Sequence, residues 1–204
     1  MSTELVSNIT SIITAASALG VAVMAFLGIN TWRKELTGKA KFELTKTIMV
    51  LSRKIQAEFE WARFPITLSS ELSNRPKLEN ESSEMSRVLD LYHIRGQRLK
   101  PLGEDLAKLQ ETTWEAESVL DKSASAEVSN VYVLLKSRYA DLITGLEAYF
   151  EVLYDEAKGR DVSMHQEWLK ELRKEIYTTK DDSFSKDVEE AVTNLSSALK
   201  PYLK

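Results

Sequence analysis

Few side chains in this chain could carry out chemistry, and they are scattered. The sequence has two histidines, His93 and His165, and no cysteine. Metal and acid–base sites in helical proteins need inward carboxylates and histidines, for example Glu-x-x-His pairs on two helices. Asp90 precedes His93 by three positions, but no second pair of this kind occurs. We therefore predict no catalytic residue, no metal site and no bound cofactor.

Motifs for nucleotide binding or hydrolysis are also missing. The chain has no Gly-rich phosphate loop, GxSxG or HExxH motif, and its seven glycines are dispersed. Without cysteine, a disulfide framework, a thiolate zinc site and a cysteine nucleophile are excluded. These observations predict a protein that is not an enzyme, unless it carries an unfamiliar site.

The pattern of apolar residues predicts an all-α protein. Apolar residues recur at intervals of three and four through most of the chain, and only seven Gly and four Pro interrupt them. The expected architecture is an N-terminal transmembrane helix followed by an antiparallel up-and-down bundle with coiled-coil-like packing. An N-terminal segment over residues 1–32 would precede a cytoplasmic bundle over residues 33–204. The bundle helices are predicted at about 33–63, 83–122 with a kink near Pro101 or a break at Lys100, 125–157, 163–178 and 184–202.

An uncharged run near the N-terminus favours a membrane span. Leu5 to Trp32 is 28 residues without a charge, about 42 Å as a helix against a hydrocarbon core of about 30 Å. A secretory signal would start with positive charge, whereas Glu4 is the only charge here. A buried soluble helix is the other alternative. The prediction is that Ile9–Ile29 crosses the membrane.

The charges after this run predict its orientation. No Lys or Arg precedes it, whereas residues 33–63 carry eight against four Asp and Glu. We expect Trp32, Arg33, Lys34, Lys39 and Lys41 to mark the interface with anionic lipids of the inner leaflet. The N-terminus would then lie outside and the body in the cytoplasm. The remainder, residues 64–204, has nineteen Lys and Arg against twenty-six Asp and Glu, so we expect no nucleic acid partner.

Two further features suggest contacts with other proteins. Ala16, Gly20 and Gly28 lie on one face of the predicted span, where small residues allow close helix approach, so homo-oligomerisation is predicted. The turn at Arg63, Phe64 and Pro65 ends the next helix, because the residue before proline avoids the helical region. We take this turn as a candidate surface for a protein partner.

The segment from Trp32 to Pro65 resembles a pattern in uncharacterised bacterial single-span membrane proteins with a cytoplasmic helical body. The residues that carry the resemblance are Trp32, Arg33, Lys34, Glu35, Leu36, Gly38, Lys39, Phe42, Glu43, Leu44, Arg63 and Pro65, with a similar W-x-A-E at Trp114 to Glu117. The resemblance implies a membrane-tethered helical protein of bacterial origin and brings no activity with it.

These observations lead to two hypotheses about function. The first is a membrane-anchored scaffold or regulatory protein at the cytoplasmic face of a bacterial inner membrane. The alternative is a membrane-perturbing effector, such as a toxin or defence component, whose transmembrane helix associates with itself.

Overall fold

The protein is all-helical over the residues described. The computed structural model describes residues 3–71, 75–178 and 182–203, and the side chains of α1 from Ile13 onward except Ala15. Helices α1 to α5 cover Thr3–Arg63, Ser83–Val119, Lys122–Ala157, Gln166–Ile176 and Ser183–Leu199. Single 3₁₀ turns lie at Ser69–Glu71, Ser163–His165 and Lys200–Leu203, and no strand occurs in this part of the chain. The predicted all-α class is confirmed.

The chain divides into two compact units, Met1–Glu43 and Leu44–Lys204. The division lies inside α1, eleven residues beyond the boundary drawn from the sequence at Trp32. In the first unit, the described side chains from Ala16 to Ala40 are all exposed.

The predicted membrane span is not supported by the structure. No helix of the described residues has the length and apolarity that crossing a bilayer requires. The predicted span includes residues 9–12 and Ala15, whose side chains lie outside what the structure describes.

The second unit is a helical bundle built around one main core. The C-terminal part of α1 contributes buried residues at spacings of three, four and seven, which lie on one face of a helix. They are Leu44, Ile48, Ile55, Phe59 and Ala62. This face shares its core with Leu102 and Leu109 of α2, Leu135 of α3 and Leu195 of α5.

Helices α2 and α3 form an antiparallel hairpin. Only Leu120 and Asp121 separate them, and Asp121 caps α3 by accepting bonds from the amides of Ser123 and Ala124, both at 3.0 Å. The ring of Tyr92, early in α2, lies 5.4 Å from that of Phe150, late in α3. α3 also packs against α4 and α5, so it is the central helix of the bundle.

α2 continues as one helix through Pro101. The alternative of two helices separated at Lys100 is therefore wrong. A proline inside a helix costs about 3 kcal/mol, because it removes one hydrogen bond and its ring clashes with the preceding turn. The buried side chains of Leu99, Leu102 and Leu106 flank Pro101 and favour an unbroken helix, since a break would disrupt their packing.

Candidate functional site

The residues predicted for self-association lie on the open surface of α1. Ala16, Gly20 and Gly28 are exposed, and a Cβ atom added at either glycine would meet no atom within 4 Å. Their faces are therefore accessible to another helix. Self-association itself stays a prediction.

The residues predicted for the membrane interface follow directly along α1. Trp32, Arg33, Lys34 and Lys39 are exposed, and Lys41 is half-buried. α1 is unbroken here, so these residues follow the apolar segment without a turn. Their lipid contacts also stay a prediction.

The end of α1 is held in the interior of the second unit by Arg63. Its side chain is 1% exposed and forms an ion pair with Asp182, the N-cap residue of α5. Arg63 also donates hydrogen bonds to the carbonyl oxygens of Lys174, Glu175 and Tyr177 at 3.3, 2.9 and 3.2 Å. The guanidinium thus ties α1 to the end of α4 and the start of α5.

The prediction that Arg63 belongs to a partner surface is wrong, because its charge is used inside the protein. Phe64 and Pro65, the other two residues of that prediction, are exposed. Nothing in the sequence distinguishes Arg63 from a solvated arginine, since its carboxylate partner lies 119 residues away.

Two arginines of α2 hold the segment that follows α1. Arg98 donates hydrogen bonds to the carbonyl oxygens of Phe64 and Ile66, both at 2.8 Å, and binds both carboxylate oxygens of Glu71 at 2.7 Å. These bonds from Arg98 hold the pKa of Glu71 below its ordinary value. Arg95 donates to the carbonyl oxygens of Phe64 at 2.5 Å and Pro65 at 3.2 Å. The two buried guanidinium groups therefore fix the backbone of this turn.

An apolar patch lies on the outer side of this turn, and we call Trp61, Phe64, Ile66 and Leu68 the turn patch. All four side chains are exposed, between 38% and 59%. Trp61 and Phe64 stack with ring centroids 6.0 Å apart, and the guanidinium of Arg98 lies 4.3 Å from the Trp61 ring. Phe64 belongs to the partner surface predicted from the sequence, whereas Trp61, Ile66 and Leu68 do not.

Three buried arginines of the second unit differ in how their charge is balanced. Arg63 is paired with Asp182 and Arg98 with Glu71. Arg95 is 2% exposed, yet no carboxylate of the described residues lies within ion-pair distance of it. Burial lowers the pKa of Arg95, and the nearby groups Tyr177 and Glu71, which favour its charged form, do not outweigh burial.

Comparisons with protein-family models, with curated proteins and with solved structures give no match. The resemblance to bacterial single-span membrane proteins thus stays a prediction. Among the residues described, no group of three or more His, Cys, Asp or Glu side chains is placed to hold a metal ion.

Proposed function

We propose that the protein is a membrane-anchored helical interaction or regulatory protein at the cytoplasmic face of a bacterial inner membrane, and that it is not an enzyme. The observation that carries this proposal is the exposure of large apolar side chains on all sides of α1 between Leu19 and Ile29. In the described part of the chain, nothing covers these side chains.

The distribution of these side chains favours lipid over a single protein partner. Successive residues of an α-helix are turned by about 100°, so Leu19, Met24 and Ile29, each five residues apart, point in three different directions. They are 53% to 71% exposed. A helix that docks on one partner needs only one apolar stripe, whereas a helix that is apolar all round needs an apolar environment on every side. A bilayer supplies that environment.

The charges that follow support an orientation. Trp32, Arg33 and Lys34 combine an amphipathic ring with two cations, the residue types that gather at a membrane interface. Because the basic residues follow the apolar segment and none precedes it, the second unit would lie in the cytoplasm, with the N-terminus outside.

The turn patch is the proposed contact for the partner protein. Tryptophan, tyrosine and arginine are enriched at the energetic centres of protein interfaces, and Trp61 is the tryptophan of this patch. Arg95 and Arg98 hold the backbone of the patch through its carbonyl oxygens, so its shape is set before a partner binds. The partner would therefore meet a preorganised surface.

Membrane extraction tests the anchor. We expect the full chain, expressed in a bacterium, to stay in the membrane fraction after alkaline carbonate treatment. The double variant Val21→Glu, Met24→Glu should be released, because buried carboxylates are costly in hydrocarbon. Val50→Glu is the matched control, since Val50 is also an exposed apolar residue of α1 but lies in the second unit.

Complete release of the unaltered chain by carbonate would overturn the proposed anchor. Protease added outside intact spheroplasts should leave the second unit uncut; its digestion would overturn the proposed orientation.

The second candidate function is a membrane-perturbing effector, and the open faces at Gly20 and Gly28 favour it. A second copy of α1 could approach closely there. In that case overexpression should stop growth, and Gly20→Leu with Gly28→Leu should restore it. Growth that is unaffected by the unaltered chain would contradict this candidate.

A further inference from the structure

The second unit contains a cleft of about 980 Å³ between the start of α2, the end of α3 and α4. Its size is typical of sites for small molecules. Its lining includes the apolar residues Val88, Leu91 and Leu153, together with Tyr177 and Thr178. The cleft therefore offers both an apolar surface and polar groups.

Positive charge dominates the cleft lining. Five cations, Arg87, Arg95, Lys170, Arg173 and Lys174, face two carboxylates, Glu84 and Glu156. The two lysines are paired on their own helix with Glu167 and Glu171 at 2.8 and 2.6 Å. The arginines at positions 87 and 173 form no ion pair with a described residue. The excess of positive charge is thus carried mainly by arginine.

Arg95 is the buried end of this arrangement. It donates hydrogen bonds to the carbonyl oxygens of residues 62, 64 and 65, and the Tyr177 hydroxyl and the more distant Glu71 also favour its charged form. Among the described residues, its Nε has no hydrogen-bond partner, and the same is true of the hydroxyl of Thr178, which also lines the cleft. A buried cation without a counter-ion is costly, because the interior does not replace the solvation it loses. An anion in the cleft would supply the missing charge.

Two tyrosines complete the inner wall. The guanidinium of buried Arg95 lies 4.9 Å from the ring centroid of Tyr177, and that of exposed Arg173 lies 5.9 Å from the same centroid. Tyr149 packs edge to face on Tyr177 at 6.2 Å. The two arginines are thereby held on one aromatic ring, from the interior to the rim.

We propose that this cleft binds a phosphate ester with an apolar or aromatic body. The phosphate would lie against Arg95, Arg173 and Arg87, and the body against Val88, Leu91 and Leu153. The planar fork of arginine matches phosphate oxygens, and several arginines around one group favour an anion with more than one charge over a single carboxylate. The proposal does not depend on the membrane anchor.

Calorimetric titration of the full chain in a neutral detergent tests the cleft. The probes are inorganic phosphate, ADP and a water-soluble short-chain phosphatidic acid. We expect saturable binding of one molecule per chain for ADP or the phosphatidic acid, tighter than for inorganic phosphate because the body adds apolar contact. Preference for ADP would identify a soluble nucleotide as the source of the phosphate, and preference for the phosphatidic acid would identify a lipid headgroup.

Variants at the exposed edge of the cleft distinguish a loss of binding from a loss of folding. Arg95 also holds the backbone at Phe64 and Pro65, so its removal could unfold the chain. Arg173→Ala and Arg87→Ala act at the rim and should each weaken binding by about tenfold, the loss expected for one charged hydrogen bond. Arg53→Ala is the control, since Arg53 is exposed and bonds only to Gln56, outside the cleft. Absence of saturable binding for all three probes, or equal binding by Arg173→Ala and the unaltered chain, would overturn the proposal.

Discussion

The buried ion pair between Arg63 and Asp182 connects the end of α1 to the start of α5. Burial raises the pKa of Asp182, but the bonds from Arg63 and Ser185 outweigh burial, and the pKa lies below its ordinary value. The carboxylate also caps α5 by accepting the amide of Phe184 at 3.0 Å. One side chain therefore balances a buried charge and starts a helix.

Replacing Asp182 should destabilise the protein strongly. We expect Asp182→Ala to lower the free energy of unfolding by about 3–5 kcal/mol, because Arg63 is left buried without its partner. The control is Asp187→Ala, whose pair with Arg138 is 35% and 40% exposed and should contribute about 0–1 kcal/mol. Urea unfolding followed by circular dichroism measures both. Equal losses in the two variants would contradict a special role for the buried pair.

Among the helices, α2 shows that tertiary contacts change the effect of a substitution on stability. Two of its glycines, Gly96 and Gly103, have different surroundings. A Cβ at Gly96 would meet nothing within 4 Å, whereas one at Gly103 would lie 2.6 Å from the hydroxyl oxygen of Tyr139 in α3. Replacing glycine by alanine should therefore affect stability differently at these two positions, which are seven residues apart.

Gly96→Ala should stabilise α2. Alanine is favoured over glycine inside a helix by about 0.5–1 kcal/mol, and at position 96 nothing opposes this gain. Gly103→Ala should be less stable than Gly96→Ala, because the Tyr139 hydroxyl must move away. Thermal unfolding of the two variants measures the difference. A melting temperature for Gly103→Ala equal to or above that of Gly96→Ala would show that Tyr139 moves without cost.

At the scale of the whole molecule, carboxylates connect segments that are far apart in the chain. Asp105 of α2 pairs with Lys54 of α1, Glu71 pairs with Arg98, and Asp182 pairs with Arg63. For Asp105, burial raises the pKa, but Lys108 and Lys54 outweigh it, and the pKa is lowered. Glu71 and Asp182 also have lowered pKa values.

These shifts predict loss of stability in acid. A carboxyl whose pKa is lower in the folded protein than in the unfolded chain stabilises the fold above its unfolded value, and this contribution is lost as the pH falls through the folded value. The ordinary values are 4.5 for Glu71 and 3.8 for Asp105 and Asp182. The free energy of unfolding should therefore fall as the pH drops through and below these values.

Urea unfolding at a series of pH values measures this dependence. Asp182→Asn should show a weaker decrease in stability on acidification, because one of the three groups no longer takes up a proton. A free energy of unfolding that stays constant as the pH falls well below 3.8, the ordinary pKa of Asp182, would contradict the prediction.

The amino-acid sequence was enough to predict the helical class, the approximate extent of the helices and the position of the apolar segment in α1. These features depend on the spacing of apolar residues within each helix, so they can be read locally. The same reasoning predicted a kink near Pro101 or, as an alternative, a break at Lys100, and the continuous α2 excludes the break.

The burial of individual charged residues could not be predicted in this way. No nearby sequence feature indicates that Arg63, Arg95 and Arg98 are buried, because their partners lie about 27 to 119 residues away in the chain. The cleft arises in the same way, since it combines residues of α2, α3 and α4. The turn patch is contiguous in the sequence, and only the hydrogen bonds from Arg95 and Arg98 to its backbone come from a distant segment. Periodicity along one helix carries no information on which distant carboxylate will meet which arginine, and only the packing of the helices on one another decides it.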